Sequence, residues 1–313
     1  MVIKADASDI GFFLGEEMPL PDPLMAWEYE IEPGLVLRGA HTVSRQRPVI
    51  HFIHGNGFSS LTYWSVLKSL SQHFDLFLHD VQGHGESDNG ESFIGWNATA
   101  ERCLTVFDSF RHQYPDCPIY LVGHSFGAVM SLLMGSQQRL PVNGLLLLDP
   151  VLYPPFFSPI SRLAATPLLA NLNPMARQAK ARQDSWPSVE ETRQYLHNRG
   201  IFKGWHPQAL DDYVYFATAE LKDGSRQLKC PGWMEANIFA SFPERIWHSI
   251  RVLTVRTKII YGDKTMPFIP YAARRAMAKN RNIGVQHTAG GHCFMLEQPQ
   301  VCAQLIGEFI AGD

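Results

Sequence analysis

Ile119-Tyr-Leu-Val-Gly-His-Ser-Phe-Gly-Ala128 is an apolar run that meets Gly123-His124-Ser125-Phe126-Gly127 and then passes directly into a helical pattern. That order predicts a strand, a sharp turn and a helix. Ser125 sits at the turn, with glycines two positions to either side, where the backbone passes too close for a β-carbon. Because G-x-S-x-G recurs by chance, its weight rests on the setting: a strand before it, a helix after it and matching parts elsewhere.

The flanking sequence supplies that setting. Upstream, the segment to Pro23 reads as a loosely attached arm. Trp27–Ile31 and Leu35–Gly39 alternate apolar and polar residues around Pro33-Gly34, which predicts an antiparallel hairpin. Strand Pro48–Ile53 runs into His54-Gly55-Asn56-Gly57, then come a helix over Tyr63–Phe74, a strand over Asp75–His79, the loop Asp80–Ser87 and a helix over Ala98–Tyr114. Downstream, helix Phe126–Gln138 and strand Gly144–Leu148 complete a strand-helix-strand alternation. Such alternation calls for a parallel sheet covered on both faces.

After Asp149-Pro150 the rhythm breaks. Residues 153–249 carry Pro154, Pro155, Pro159, Pro167, Pro174, Pro187, Pro207, Pro231 and Pro243 between short helical patterns. One helix is expected behind Pro207, with Leu210, Val214, Ala217 and Leu221 on a common face. The segment is rich in large aromatics, among them Tyr153, Phe156, Phe157, Trp186, Trp205, Tyr213, Phe216, Trp233 and Phe239. Alternation resumes with strand Thr257–Tyr261, a helix near Tyr271–Ala278, strand Asn282–Gln286 and a closing helix Pro299–Ala311. The expected organisation is therefore one core, residues 1–152 and 250–313, interrupted by a helical insertion over 153–249.

Composition bounds the function. A chain of 313 residues with 45% hydrophobic content can bury a large core. The net charge is −3 and no basic run follows a phosphate backbone, so nucleic acid is not an expected partner. The N-terminus lacks the apolar core of a signal peptide, no run is long enough to span a bilayer, and five cysteines lack paired spacing. These features lead to the expectation of a cytoplasmic protein without an integral membrane segment. Oligomeric state is not legible.

A serine hydroxyl needs a base in contact to act as a nucleophile at neutral pH, and imidazole is the natural choice. Of thirteen histidines, His292 follows Gly290-Gly291 in a loop after a strand, a position able to reach over a neighbouring strand end. His124 lies inside the turn, where its side chain points away from that of Ser125. His54 and His84, in glycine loops, are expected to hold loop backbones. His51 and His54 fall on opposite faces of a strand end with no zinc signature after them, so no metal and no cofactor are expected. A developing oxyanion requires preorganised donors, and the backbone NH of Phe126 at the start of a helix is one.

The order His54-Gly-Asn-Gly57, Asp80–Ser87, Gly123-His-Ser-Phe-Gly127 and Gly290-Gly-His-Cys-Phe-Met-Leu-Glu-Gln-Pro299 resembles the α/β-hydrolase superfamily over nearly the whole chain. The resemblance implies a mostly parallel eight-stranded core, an inserted helical cap over the active site, Ser125 as nucleophile and His292 as its partner. It also implies a second oxyanion donor in the residue after His-Gly, Asn56, with Gly57 as the alternative. The expected activity is a serine hydrolase cleaving a carboxylic ester of a small to medium apolar or aromatic substrate through an acyl-enzyme. Thioesterase, carbon-carbon bond hydrolase and cofactor-free peroxidase activities are alternatives on the same fold, and a non-catalytic ligand-binding receptor belongs to a different class. A haloalkane dehalogenase is excluded because it needs a carboxylate nucleophile.

Two aspartates compete to orient His292. Asp263 follows the late strand, where the acid is commoner in the superfamily, but stands two places before the usual position, which is held by Thr265. Asp149 ends the strand that follows the Ser125 helix, as in members lacking the late acid. The reading favours Asp149 and keeps Asp263 as the alternative.

Overall fold

The computed structural model describes residues 20–154 and 173–312. Most of the expected N-terminal arm, and Pro155, Phe156, Phe157, Pro159 and Pro167 of the insertion, lie outside the described residues. Eight strands form one sheet: β1 Leu24–Glu32, β2 Leu35–Thr42, β3 Val49–Ile53, β4 Asp75–Asp80, β5 Ile119–His124, β6 Val142–Leu148, β10 Arg256–Gly262 and β11 Ile283–Thr288. Their spatial order is β1-β2-β4-β3-β5-β6-β10-β11. β2 pairs antiparallel with both neighbours, and the strands from β4 to β11 pair in parallel.

Every residue of β3, β4 and β5 is buried, as a parallel sheet sandwiched between helices requires. Helices α1 Trp64–Leu70, α2 Trp96–Phe110 and α3 Phe126–Ser136 supply part of that cover. All but the last residue of α3 are buried, because it is wedged between the sheet and its helical neighbours. The helix expected over Tyr63–Phe74 is shorter: a 3-10 turn over Ser60–Tyr63 leads into α1, which stops at Leu70.

The segment between β6 and β10 contains helices Pro174–Ala181, Val189–Leu196, Pro207–Phe216, Gly232–Phe239 and Ile246–Val252. It also contains a three-stranded antiparallel sheet that the reading of the sequence did not anticipate: β7 Ser185–Trp186, β8 Thr218–Glu220 and β9 Arg226–Leu228, in the order β7-β9-β8. Strands of two or three residues are too short to show a period. The helix behind Pro207 ends at Phe216 rather than continuing to Leu221. Its last turn offers Val214 O and Tyr215 O to Arg226 of β9, whose Nη2 donates to them at 3.1 and 3.2 Å and also to Thr218 O of β8 at 2.9 Å. A guanidinium at a helix C-terminus satisfies orphan carbonyls and favours the dipole.

Several polar bridges join this segment to the helices and loops around the sheet. His206 N donates to Leu296 O at 2.8 Å, Ser65 N to Asp212 Oδ2 at 2.7 Å, Asn56 Nδ2 to Glu235 O at 3.1 Å and Trp96 Nε1 to Ser241 Oγ at 3.0 Å. Lys229 adds an ion pair with Glu86.

Candidate active site

Ser125 has φ 54° and ψ −111°, a left-handed backbone that a non-glycine residue adopts at a cost of about 1–3 kcal/mol. The strain is held by close packing. A β-carbon on Gly123 would lie 2.4 Å from Gly127 O, and one on Gly127 would lie 2.2 Å from Ile53 O, so neither glycine can be replaced without moving the turn. Ser125 N is anchored to Leu148 O at 2.9 Å, and Phe126 opens α3 immediately after it.

Sheet register brings the other groups to this turn. Ile53 stands opposite Gly123, so the His54–Gly57 loop leaves the sheet beside Ser125. His124 stands opposite Leu148, and Leu148 opposite Ile260, so Asp149 emerges at the carboxyl end of the strand next to β5. Asp149 N donates to Ile260 O at 2.7 Å. His292 comes from the loop after β11.

The three side chains meet. His292 Nε2 is 3.0 Å from Ser125 Oγ and its Nδ1 is 2.7 Å from Asp149 Oδ1. Asp149 is fully buried, while Ser125 retains 8% exposure, enough to be met from one side. A buried carboxylate must be saturated with donors. Besides the imidazole, Asp149 receives Thr265 Oγ1 at 2.5 Å on Oδ1 and Gly262 N at 2.8 Å on Oδ2. Asp263, the alternative acid, is elsewhere employed: its Oδ1 accepts from Gly290 N at 2.9 Å. It shapes the backbone that carries His292 and the structure gives it no contact with the ring.

Glu297 completes the grip on that loop, accepting from Gly291 N at 3.0 and 3.1 Å. Burial, the largest influence, raises the pKa of this carboxyl, against the hydrogen bond from Gly291. Neither Glu297 nor the contact of Thr265 was found from sequence, since nothing in the spacing marks them as partners of a loop or of a distant aspartate.

On the other side of Ser125, the Asn56 side chain is fixed by His84 Nε2 at 3.3 Å from its Oδ1 and by its own donation to Glu235 O. Gly57 faces the Glu235 carboxylate, which would lie 3.1 Å from a β-carbon there. Glu235 pairs with Arg182 at 2.8 Å, and burial, opposed by that guanidinium, raises its pKa. His54 holds backbone as expected, Nδ1 donating to Gly55 O at 2.8 Å and Nε2 accepting from Val81 N at 3.1 Å. Phe126 packs its ring against Trp96 and Phe93, with centroids 4.7 and 6.3 Å away. Among the described residues no group of three or more His, Cys, Asp or Glu is arranged to hold a metal ion, and no helix is long and apolar enough to cross a membrane.

Comparison with known proteins agrees with this architecture. Residues 52–305 match the family described as "Alpha/beta hydrolase family". Monoglyceride lipase of Mus musculus is 31% identical over 77 residues, 24% of this chain and 25% of that protein. Protein phosphatase methylesterase 1 of Candida albicans is 27% identical over 161 residues, 50% of this chain and 43% of that protein. The matches thus span a quarter to less than half the length of these relatives. Among solved structures, E-2-(acetamidomethylene)succinate hydrolase superimposes with a TM-score of 0.72 at 18% identity, covering 92% of this chain and 99% of that one, a likeness of fold. The chain belongs to the alpha/beta hydrolase family, and its relatives support a hydrolase.

Proposed function

We propose that this alpha/beta hydrolase cleaves carboxylic esters of small to medium apolar or aromatic substrates through an acyl-enzyme on Ser125. The observation that carries the reading is the unbroken run Ser125 Oγ, His292 Nε2, His292 Nδ1, Asp149 Oδ1, with separations of 3.0 and 2.7 Å. Ser125 Oγ attacks the ester carbonyl carbon while His292 Nε2 takes its proton. The carbonyl oxygen becomes an oxyanion facing the backbone NH of Phe126 and that of Asn56, with Gly57 as the alternative donor. His292 then returns the proton to the departing alkoxide, and the C–O bond breaks. Water, deprotonated by the same imidazole, attacks the acyl-enzyme and releases the acid. Asp149 keeps Nδ1 protonated so that Nε2 is the base, and stabilises the imidazolium that forms.

The ester preference draws support from the names of the relatives, a monoglyceride lipase and a methylesterase. The apolar substrate preference draws on the large aromatics of the insertion, among them Trp186, Trp205, Tyr213 and Trp233. Residues 153–249 act in this reading as a cap that sets substrate size, and five free cysteines fit a reducing, cytoplasmic setting.

The test is turnover of p-nitrophenyl esters with stoichiometric fluorophosphonate labelling, in wild type and Ser125→Ala. Labelling and turnover disappear together in the variant. Retention of more than about a thousandth of wild-type activity would remove Ser125 from the role of nucleophile. A panel of esters, thioesters and vinylogous diketones then separates ester hydrolysis from thioester and carbon-carbon bond cleavage.

A further inference from the structure

His124 is a buried titratable group beside the proposed machinery that the reaction does not use. Its ring centroid is 4.9 Å from that of His292. Its Nδ1 is 2.6 Å from Tyr63 Oη, and its Nε2 is 3.0 Å from His292 O. Tyr63 Oη in turn accepts from Gly55 N at 3.1 Å. His124 is fully buried and Tyr63 is 1% exposed.

The directions of these bonds follow from the chemistry of the groups. Gly55 N can only donate, so the phenol oxygen accepts there. His292 O can only accept, so His124 Nε2 carries the proton. Burial above all, together with the charge of His292, pushes the His124 pKa well below its ordinary value, so the ring is neutral and Nδ1 is bare. Burial raises the Tyr63 pKa, so the phenol keeps its proton and delivers it to Nδ1. Every donor then meets an acceptor along Gly55 NH, Tyr63 OH, His124 Nε2–H and His292 O. Gly55 is required for the approach: a β-carbon there would lie 2.8 Å from His124 Nδ1 and 3.2 Å from Tyr63 Oη.

We infer that Tyr63 and His124 form a positioning relay, which fixes the spacing between the His54–Gly57 loop and the main chain of His292 on either side of Ser125. The relay rests on the roles proposed above for Ser125, His292 and the Asn56 loop. It ties an oxyanion donor and the general base to one rigid ring, and its neutrality keeps a second positive charge away from His292 when that imidazole takes the serine proton.

Two measurements on the full chain test it. Nitrogen-15 imidazole spectra of the wild type at pH 7 show His124 protonated at Nε2 and bare at Nδ1, and Tyr63→Phe moves the Nδ1 resonance. In p-nitrophenyl ester turnover, Tyr63→Phe lowers kcat about tenfold with KM within about twofold, the fold-change expected from loosening one buried hydrogen bond that acts on geometry. A His124 protonated at Nδ1, or a Tyr63→Phe variant with wild-type kcat, overturns the relay. The tautomer is read without substrate, so it decides the relay even if Ser125→Ala overturns the ester hydrolase reading.

Discussion

Replacing Asp149 with asparagine changes one atom and, by the geometry of the site, inverts the function proposed for His292. The carboxylate accepts on both oxygens. Oδ2 faces Gly262 N, a main-chain donor that cannot turn away, while Oδ1 faces His292 Nδ1 and the rotatable hydroxyl of Thr265. An amide keeps its oxygen toward Gly262 and directs its NH2 at His292 Nδ1. The ring then accepts on Nδ1 and carries its proton on Nε2, aimed at Ser125 Oγ, where a base is needed. Loss of a buried charge-assisted hydrogen bond alone is worth about 1.5–3 kcal/mol, roughly 10- to 150-fold. The wrong tautomer adds to this, so kcat for Asp149→Asn falls about a thousandfold or more. Asp263→Asn keeps an amide oxygen to accept from Gly290 N and loses no more than about threefold. Parallel p-nitrophenyl ester kinetics, with melting curves to show that both variants fold, make the comparison. An Asp149→Asn enzyme within tenfold of wild type, or a larger loss in Asp263→Asn, refutes the reasoning.

Thr265→Val, which removes the second donor on Asp149 Oδ1, lowers kcat about fivefold at unchanged KM, and Thr265→Ser restores it; equal rates for valine and serine variants would deny the hydroxyl a role. His51, fully buried and stacked on Phe107 at 4.6 Å, is pushed down to about 3 by burial from an ordinary value of 6.5. The unfolded chain binds a proton there that the folded chain refuses, so stability is lost as pH falls from about 6.5 toward 3, by about 2 kcal/mol from this group at pH 5. Urea unfolding of His51→Phe therefore shows a smaller drop between pH 7.5 and pH 5 than wild type, and an identical drop would contradict the assignment. Asp212, which accepts from Ser65 N at 2.7 Å across the seam, is pushed up to about 6, chiefly by burial. Its favourable contribution is present below the ordinary carboxylate range and is lost as pH rises through 6, so Asp212→Asn gains about 3 kcal/mol over wild type at pH 8 and less than about 1 kcal/mol at pH 4; a gain that does not change with pH would point to packing instead.

What was legible in the sequence was whatever depends on neighbours along the chain. The elbow could be read because the crowding at Gly123 and Gly127 forbids side chains two residues from Ser125, and the strand-helix rhythm could be read because burial on both faces leaves unbroken apolar runs. The choice between Asp149 and Asp263 stayed open because period-two alternation gives the face of a residue, not how a loop curves beyond the strand end. Thr265, Glu297 and Tyr63 were missed for a different reason. Thr265 meets Asp149 across 116 positions and Tyr63 meets His124 across 61, contacts set by sheet register that no local pattern encodes. The β7–β9 sheet was missed because its strands are too short to display alternation, and the helix end at Phe216 because the side chain that caps it, Arg226, lies on another element.

The placement of Asp149, the proposed acid, follows from strand order. β5 carries Ser125, β6 lies beside it, and β10 lies one strand farther away. Asp149 leaves β6 with φ 44°, a turn that keeps its side chain over the sheet end next to Ser125. β10 then contributes by a different route: Gly262 N and Thr265 Oγ1 both donate to the carboxylate that β6 supplies. With those donors in place, a second anion at 265 would sit 2.5 Å or so from Asp149 Oδ1, unscreened in a buried site, a repulsion that leaves one of the two carboxyls protonated. A hydroxyl at 265 and a carboxylate at 149 are therefore one choice. The strand nearer the serine supplies the charge, and the strand beyond it supplies the donors that make burying that charge tolerable.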